Sequence, residues 1–116
     1  MGARGEGTLR VGDREVRLLF TNRALARAES ALGKTVIEIA RNAATGNIGL
    51  NDTVELLRLG IEAARRENNE SGKPVNINEA YELIDGVGFI EAARVVIEAL
   101  SDVLSYRGEA TDDPNR

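Results

Sequence analysis

At 116 residues, of which 42% are hydrophobic and 29% charged, the chain is long enough for one domain with a compact core. It contains no cysteine and no histidine, which excludes disulfides, zinc sites of the usual ligand types, thiol nucleophiles and the commonest general base near neutral pH. The formal net charge of −4 speaks against a nucleic-acid binder, because such proteins usually neutralise phosphates with a basic patch.

The amino-terminal end predicts a flexible start followed by a β-hairpin. Residues 1–7 are rich in glycine and charge and carry no periodicity. Residues 8–20 alternate polar and apolar side chains around Gly12 and Asp13, a pair that favours a tight turn. A hairpin of two strands is marginal in water by itself, so this one must lie on helices or pair with another chain.

Five helices are predicted after the hairpin, from apolar residues at helical spacing and from capping residues. Gly33 is expected to end the first helix in the left-handed conformation, and Thr35 and Glu38 form a capping box that opens the second. Asn51 or Asp52 is expected to cap the third. The predicted helices span about residues 22–32, 35–45, 52–68, 77–85 and 89–106.

The remaining segments are predicted to be irregular. Residues 68–74 are polar and end in glycine and proline, which predicts a loop, and Gly86–Gly88 predicts a break between the last two helices. Residues 107–116 carry no periodicity and are expected to form a disordered tail. Residues 8–106 are therefore predicted to be a single domain with a mainly helical α+β fold, an amino-terminal β-hairpin packed on a bundle of about five helices.

The fifth predicted helix is apolar over most of its circumference, which indicates burial by more than one neighbour. Ile90, Ile97 and Leu104 recur every seven residues and would share one face. In so small a domain, one neighbour of this helix could belong to another molecule, so these three residues are predicted to contact a partner or a second copy of the chain. The alternative is that the apolar coat serves the core alone.

The sequence offers no convincing catalytic or metal-binding set. Gly86–Gly88 lacks the preceding strand and the third glycine of a phosphate-binding loop. Acidic and amide residues cluster early in the third helix and along the fourth: Asn51, Asp52, Glu55, Glu79, Glu82 and Asp85. Helix caps and solvated faces account for both clusters. No catalytic residue, metal or cofactor is therefore predicted, and the chain is not expected to be an enzyme.

Several short stretches of the chain combine into a recognisable pattern: Leu9–Leu25, Glu29, Leu32–Gly33, Val36–Ala40 and Leu56–Ile61. They contain a hairpin, a Phe-Thr-Asn junction, an acidic helix ending in Leu-Gly, and a leucine pair before a glycine in the third helix. Over about residues 8–65, this pattern resembles a family of small proteins encoded in the tail gene clusters of siphophage-like prophages and gene transfer agents. The chain is similar to the tail assembly chaperones of that group, which are sometimes labelled tail tube proteins.

This resemblance implies a non-catalytic chaperone that binds the tape measure protein, a very long helical chain, while tube subunits polymerise around it. Without a signal peptide or an apolar run of about 20 residues, the protein is expected in the host cytoplasm, with no membrane or nucleic-acid partner. Self-association into a homo-oligomer is expected because the hairpin has open edges and the fifth helix is very apolar.

Two other functions are weighed against the chaperone. A structural virion component, such as a tail tube or head–tail joining subunit, would remain in finished particles, although tube subunits usually need a larger sheet than one hairpin. A small transcriptional regulator could use the second and third predicted helices to read DNA, but the acidic balance of the chain speaks against it.

Overall fold

A computed structural model describes residues 5–67 and 75–104 of the chain. Strands β1 (Glu6–Val11) and β2 (Arg14–Leu19) are followed by helices α1 (Asn22–Leu32), α2 (Val36–Ala44), α3 (Leu50–Glu67), α4 (Ile77–Val87) and α5 (Phe89–Leu104). The predicted fold class, a hairpin followed by five helices, is confirmed. The predicted loop at 68–74, the predicted tail at 107–116 and the predicted helix ends at 68 and 106 lie outside the described residues.

The two strands pair antiparallel through the predicted two-residue turn. Val11 pairs with Arg14, which leaves Gly12 and Asp13 to form the turn. Gly12 has a φ of 62°, a conformation that costs glycine little because it has no Cβ.

The first strand begins two residues earlier than predicted, at Glu6 and not at residue 8. Glu6 pairs with Leu19, and the N–H that follows β2, that of Phe20, donates to the carbonyl of Gly5 at 3.1 Å. Gly7 lies so close to α5 that an added Cβ would be 3.3 Å from side-chain atoms of that helix. Glycine here allows a close approach between strand and helix.

Local capping chemistry sets the limits of α1 and α2. The Thr21 hydroxyl accepts a hydrogen bond from the N–H of Ala24 at 3.1 Å, and Gly33 ends α1 with a φ of 66°. The capping box is confirmed, because the Thr35 hydroxyl accepts from the N–H of Glu38 at 3.1 Å while the Glu38 carboxylate accepts from the N–H of Thr35 at 3.2 Å.

Helix α3 begins two residues earlier than predicted, at Leu50. The carbonyl of Gly49 accepts two hydrogen bonds from Thr53, one from its N–H at 3.0 Å and one from its hydroxyl at 2.8 Å. The first helical hydrogen bond therefore starts at Gly49, before the predicted cap at residue 51 or 52. Asp52 lies in this first turn and binds Lys34 Nζ at 2.5 Å. A long-range ion pair therefore takes up the carboxylate that was predicted as a possible cap.

Helix α4 also runs further than predicted, through Gly86 to Val87. The chain turns only at Gly88, whose φ is 94° and whose N–H donates to the carbonyl of Ile84 at 2.7 Å. Of the predicted Gly-Val-Gly break, only the last glycine acts as the break, because it alone has a positive φ there.

The hairpin lies on α3 and α5, and the core cluster draws residues from both strands and all five helices. Leu18 in β2 and Phe20, which directly follows the strand, are both fully buried. Both lie against Gly60 of α3, where an added Cβ would come within 3.1 Å of Phe20 Cζ and 3.4 Å of Leu18 Cβ. Gly60 thus lets the hairpin approach the helix closely.

The Gly60→Val variant is expected to lower the free energy of unfolding by about 2–3 kcal/mol, because the added methyl groups overlap a fully buried ring. Ala63→Val, at a half-buried position on the same helix, is the matched control and should cost less than about 1 kcal/mol. Urea unfolding followed by circular dichroism measures both. An equal cost at the two positions would contradict the close contact.

Candidate interaction surfaces

Helix α5 is covered on most of its circumference within this chain. It contacts β1, β2, α2, α3 and α4. Its buried residues are Ala92, Ala93, Val95, Val96, Ala99 and Leu100. The apolar coat of α5 is therefore largely used by the core, and the width of that coat no longer argues for a second molecule.

The three predicted partner contacts lie in different surroundings. Ile90 is 78% exposed at the start of α5, whereas Ile97 is half-buried and packs against the core. Leu104 is the last residue of α5, and its side chain lies outside the described part of the structure. The structure thus places Ile90 at the surface and Ile97 at the border of the core, and the contact role of all three residues stays a prediction.

Three charged side chains form ion pairs beside the apolar stripe of Ile90 and Ile97 on α5. Arg94 donates to Glu91 at 2.7 Å and to Glu98 at 2.8 Å, and all three side chains are well exposed. The hydrogen bond from Arg94 lowers the pKa of the Glu91 carboxyl, and the two carboxylates raise the pKa of Arg94. A partner that covers Ile90 would therefore meet an apolar stripe bordered by fixed charges.

Other large apolar side chains are exposed elsewhere in the described residues. Ile37 on α2 is 62% exposed, and Leu50 lies exposed at the start of α3. Ile77 and Tyr81 are exposed four residues apart on α4 and so share one face.

The hairpin offers a second type of surface, its open edges. Within the described residues the sheet has two strands, so each strand has one edge without a strand partner. The outer face is charged: Arg10 pairs with Glu15 across the strands, and Arg17 Nη2 lies 3.8 Å from Glu6 Oε2. Charged residues of this kind discourage unspecific pairing of edge strands.

Glu62 of α3 is the most buried charged side chain in the described residues, at 1% exposure. Its Oε2 accepts from Arg27 Nη1 and from Arg66 Nη2, each at 2.6 Å, and its Oε1 accepts from the N–H of Val75 at 3.3 Å. Arg58 Nη1 lies 3.8 Å from Oε1. This cluster connects α1, α3 and the segment that leads into α4.

Burial by itself would raise the pKa of the Glu62 carboxyl, but its contacts outweigh burial and lower it below the ordinary value of 4.5. The hydrogen bond from Arg27, the N–H of Val75 and the charges of Arg27 and Arg66 have this effect. A carboxyl held ionised in this way is suited to anchor helices and poorly suited to exchange protons near neutral pH.

The cluster of Glu62 with its arginines was not predicted from the sequence. The spacing of Arg58, Glu62 and Arg66 at intervals of four residues along one helix face was an available local signal. Arg27, 35 residues before Glu62, carries no such signal, because its position follows from how α1 packs on α3.

Three carboxylates of the acidic clusters noted in the sequence are engaged in ion pairs. Asp52 binds Lys34, Glu55 binds Arg58 at 2.8 Å, and Glu79 binds Arg65. Across residues 5–67 and 75–104, no group of three or more acidic, histidine or cysteine side chains is placed to hold a metal ion. The helices of this part of the chain are also too short or too polar to cross a membrane.

The chain matches a known protein family over most of its length. The sequence profile of the family described as "Phage tail tube protein, GTA-gp10" matches residues 4–105. No curated protein and no solved structure matches the chain. The resemblance to a tail-cluster protein of phages and gene transfer agents is thereby confirmed, and it extends on both sides of residues 8–65. The description names the tail tube and does not mention a chaperone.

Proposed function

From the premise that the chain belongs to the phage tail tube protein family described as GTA-gp10, we propose that it is a structural component of a phage-like tail, either a tube subunit or a head–tail joining subunit. The family match carries this proposal, because it spans the hairpin and all five helices. In this role the protein acts by binding other tail proteins and not by catalysis.

The surfaces of the molecule support a binding role. Ile90 is the most exposed large apolar side chain among the described residues, and Ile97 continues its stripe toward the core. Single exposed apolar residues are common, but Ile90 and Ile97 lie two turns apart on the same face of α5, so one partner could contact both. The edges of β1 and β2 add backbone groups to which a partner strand could bind.

A second candidate function, the tail assembly chaperone, is favoured by one observation. In the described residues the sheet is a single two-stranded hairpin, and the other regular elements are helices. A tube wall built by the pairing of sheets between subunits needs a larger sheet than this. A chaperone of this kind would bind the helical tape measure protein through apolar contacts. It would act in the host cytoplasm and be absent from finished particles.

Ile90→Glu is expected to reduce the recovery of tail proteins by about tenfold or more, since a charge placed in an apolar contact must lose its hydration when the partner binds. Its free energy of unfolding should change by less than about 0.5 kcal/mol, because the side chain is exposed. The measurement is copurification with the tagged chain from cells that are producing particles, with quantitative mass spectrometry of the bound proteins.

Ile37→Glu on α2 is the matched control, because it makes the same change at another exposed isoleucine. Replacing Ile97 is avoided, since Ile97 packs against the core and its loss would confuse unfolding with lost binding. Unchanged recovery with Ile90→Glu would exclude this stripe as the contact. Recovery of tube or connector subunits by the wild type supports the structural role, and recovery of one very long helical protein supports the chaperone.

A further inference from the structure

A groove of about 330 Å³ opens between the first half of α1 and the second half of α3. It is lined by three arginines and three apolar residues, Arg23, Arg27, Arg66, Ala24, Leu59 and Ala63. Ala24 and Leu59 are buried and Ala63 is half-buried, so the base of the groove is apolar. None of the lining residues belongs to α5, which makes this surface separate from the Ile90 stripe.

The Glu62 cluster holds two of these arginines in place. Arg27 and Arg66 each donate one hydrogen bond to Glu62 at 2.6 Å, while 39% and 46% of their side chains remain exposed. A guanidinium group has five N–H donors, so each arginine keeps further donors for a ligand. Because the two side chains are already fixed, a ligand that binds them pays less entropy than it would to order free arginines.

The charge of the groove differs in sign from that of the whole chain. Glu67 also lines the groove, and it already has an interaction partner. Even when Glu62 and Glu67 are both counted, three guanidinium groups face two carboxylates, whereas the chain carries a formal net charge of −4. A complementary ligand is therefore anionic at its edges and aliphatic at its centre.

We propose that this groove binds an acidic peptide segment of a partner protein, with carboxylates on Arg23 and Arg66 and an aliphatic side chain over Ala63. A nucleic acid fits less well, because its phosphates have no match in the apolar base and the acidic chain repels a polyanion.

The test is selection of a random library of short peptides on the full-length protein, followed by titration of one selected, fluorescently labelled peptide. Acidic peptides with an aliphatic residue are expected to be enriched. Arg23→Glu should weaken the selected peptide by about tenfold or more, because it replaces an attraction with a repulsion. Ala63→Leu should weaken it similarly by filling the groove. Arg41→Glu, at an exposed position on α2, is the charge-matched control and should bind normally.

Arg23→Glu acts by reversing a charge and Ala63→Leu acts by adding volume. If circular dichroism shows that one of the two variants is unfolded, the other variant decides the test. The proposal is overturned if selection yields no acidic peptides, or if the folded groove variants bind the peptide as tightly as Arg41→Glu does. Displacement of the peptide by an equal concentration of an oligothymidine strand would also overturn it, in favour of a nucleic-acid site. Because the assay uses no tail protein, its result is independent of the proposed tail function.

Discussion

Phe20→Ala is expected to lower the free energy of unfolding by about 3–5 kcal/mol. Phe20 is the largest fully buried side chain in the described residues, and its ring lies against Gly60 where the hairpin meets α3. The variant loses the burial of the ring and leaves a cavity that a rigid strand and helix cannot close. Since small domains are stable by about 5–15 kcal/mol, this loss is a large share of the total.

Urea unfolding followed by circular dichroism measures this effect. Phe20→Leu is the control, because it keeps an apolar side chain of intermediate size, and we expect it to cost about 1 kcal/mol. A cost of less than about 1 kcal/mol for Phe20→Ala would show that the ring is not enclosed between the hairpin and α3.

Glu62→Gln is expected to lower the free energy of unfolding by about 2–3 kcal/mol at neutral pH. Glutamine keeps the volume and an acceptor for the N–H of Val75, so the change removes mainly the charge that Arg27 and Arg66 share. Loss of one member of a fully buried pair costs about 3–5 kcal/mol. The smaller value follows because both arginines are partly exposed and can be solvated.

The effect of Glu62→Gln should depend on pH. The folded-state pKa of Glu62 lies below its ordinary value of 4.5, so its stabilisation is fully present above about pH 4.5 and is lost as the pH falls through the folded-state pKa. The difference in the free energy of unfolding between wild type and variant should therefore be largest near neutral pH and should shrink as the pH falls below the folded-state pKa.

Glu98→Gln provides the control for this pH series, because Glu98 is an exposed partner in an ion pair and its loss should cost less than about 0.5 kcal/mol. If wild type and Glu62→Gln differ in the free energy of unfolding by the same amount at neutral and acidic pH, the anchoring role of the Glu62 charge is contradicted.

The order of elements was predictable because each element has its own local signals. The turn at Gly12, the end of α1 at Gly33 and the capping box of Thr35 and Glu38 depend on a few neighbouring residues, and all three form as predicted. Such signals work because backbone conformation and capping hydrogen bonds involve residues that are close in sequence.

The features that sequence analysis missed depend on contacts between distant elements. The start of β1 at Glu6 follows from the close approach of α5 to Gly7, and the start of α3 at Leu50 comes with the Gly49–Thr53 hydrogen bonds and a pair between Lys34 and Asp52. No local pattern places Arg27 beside Glu62 or Leu18 beside Gly60. These contacts appear only when helices and strands are brought together in space.

The sequence predicts which residues of α5 share a face, but it does not predict which of them are exposed. Residues seven positions apart share one face of a helix, and this puts Ile90 and Ile97 on the same face of α5. Which part of the stripe is exposed depends on the elements that cover α5, and these leave Ile90 at the surface while Ile97 packs against the core. The groove between α1 and α3 has no local signal, because its arginines come from helices far apart in sequence.

The central claim is that this member of the phage tail tube protein family is a structural part of the tail. The most direct test is quantitative mass spectrometry of purified particles alongside the cells that assemble them. The structural role predicts the chain at a constant number of copies per particle, unchanged by further rounds of purification. Abundance in the assembling cells together with absence from finished particles would contradict the claim and would support the tail assembly chaperone instead.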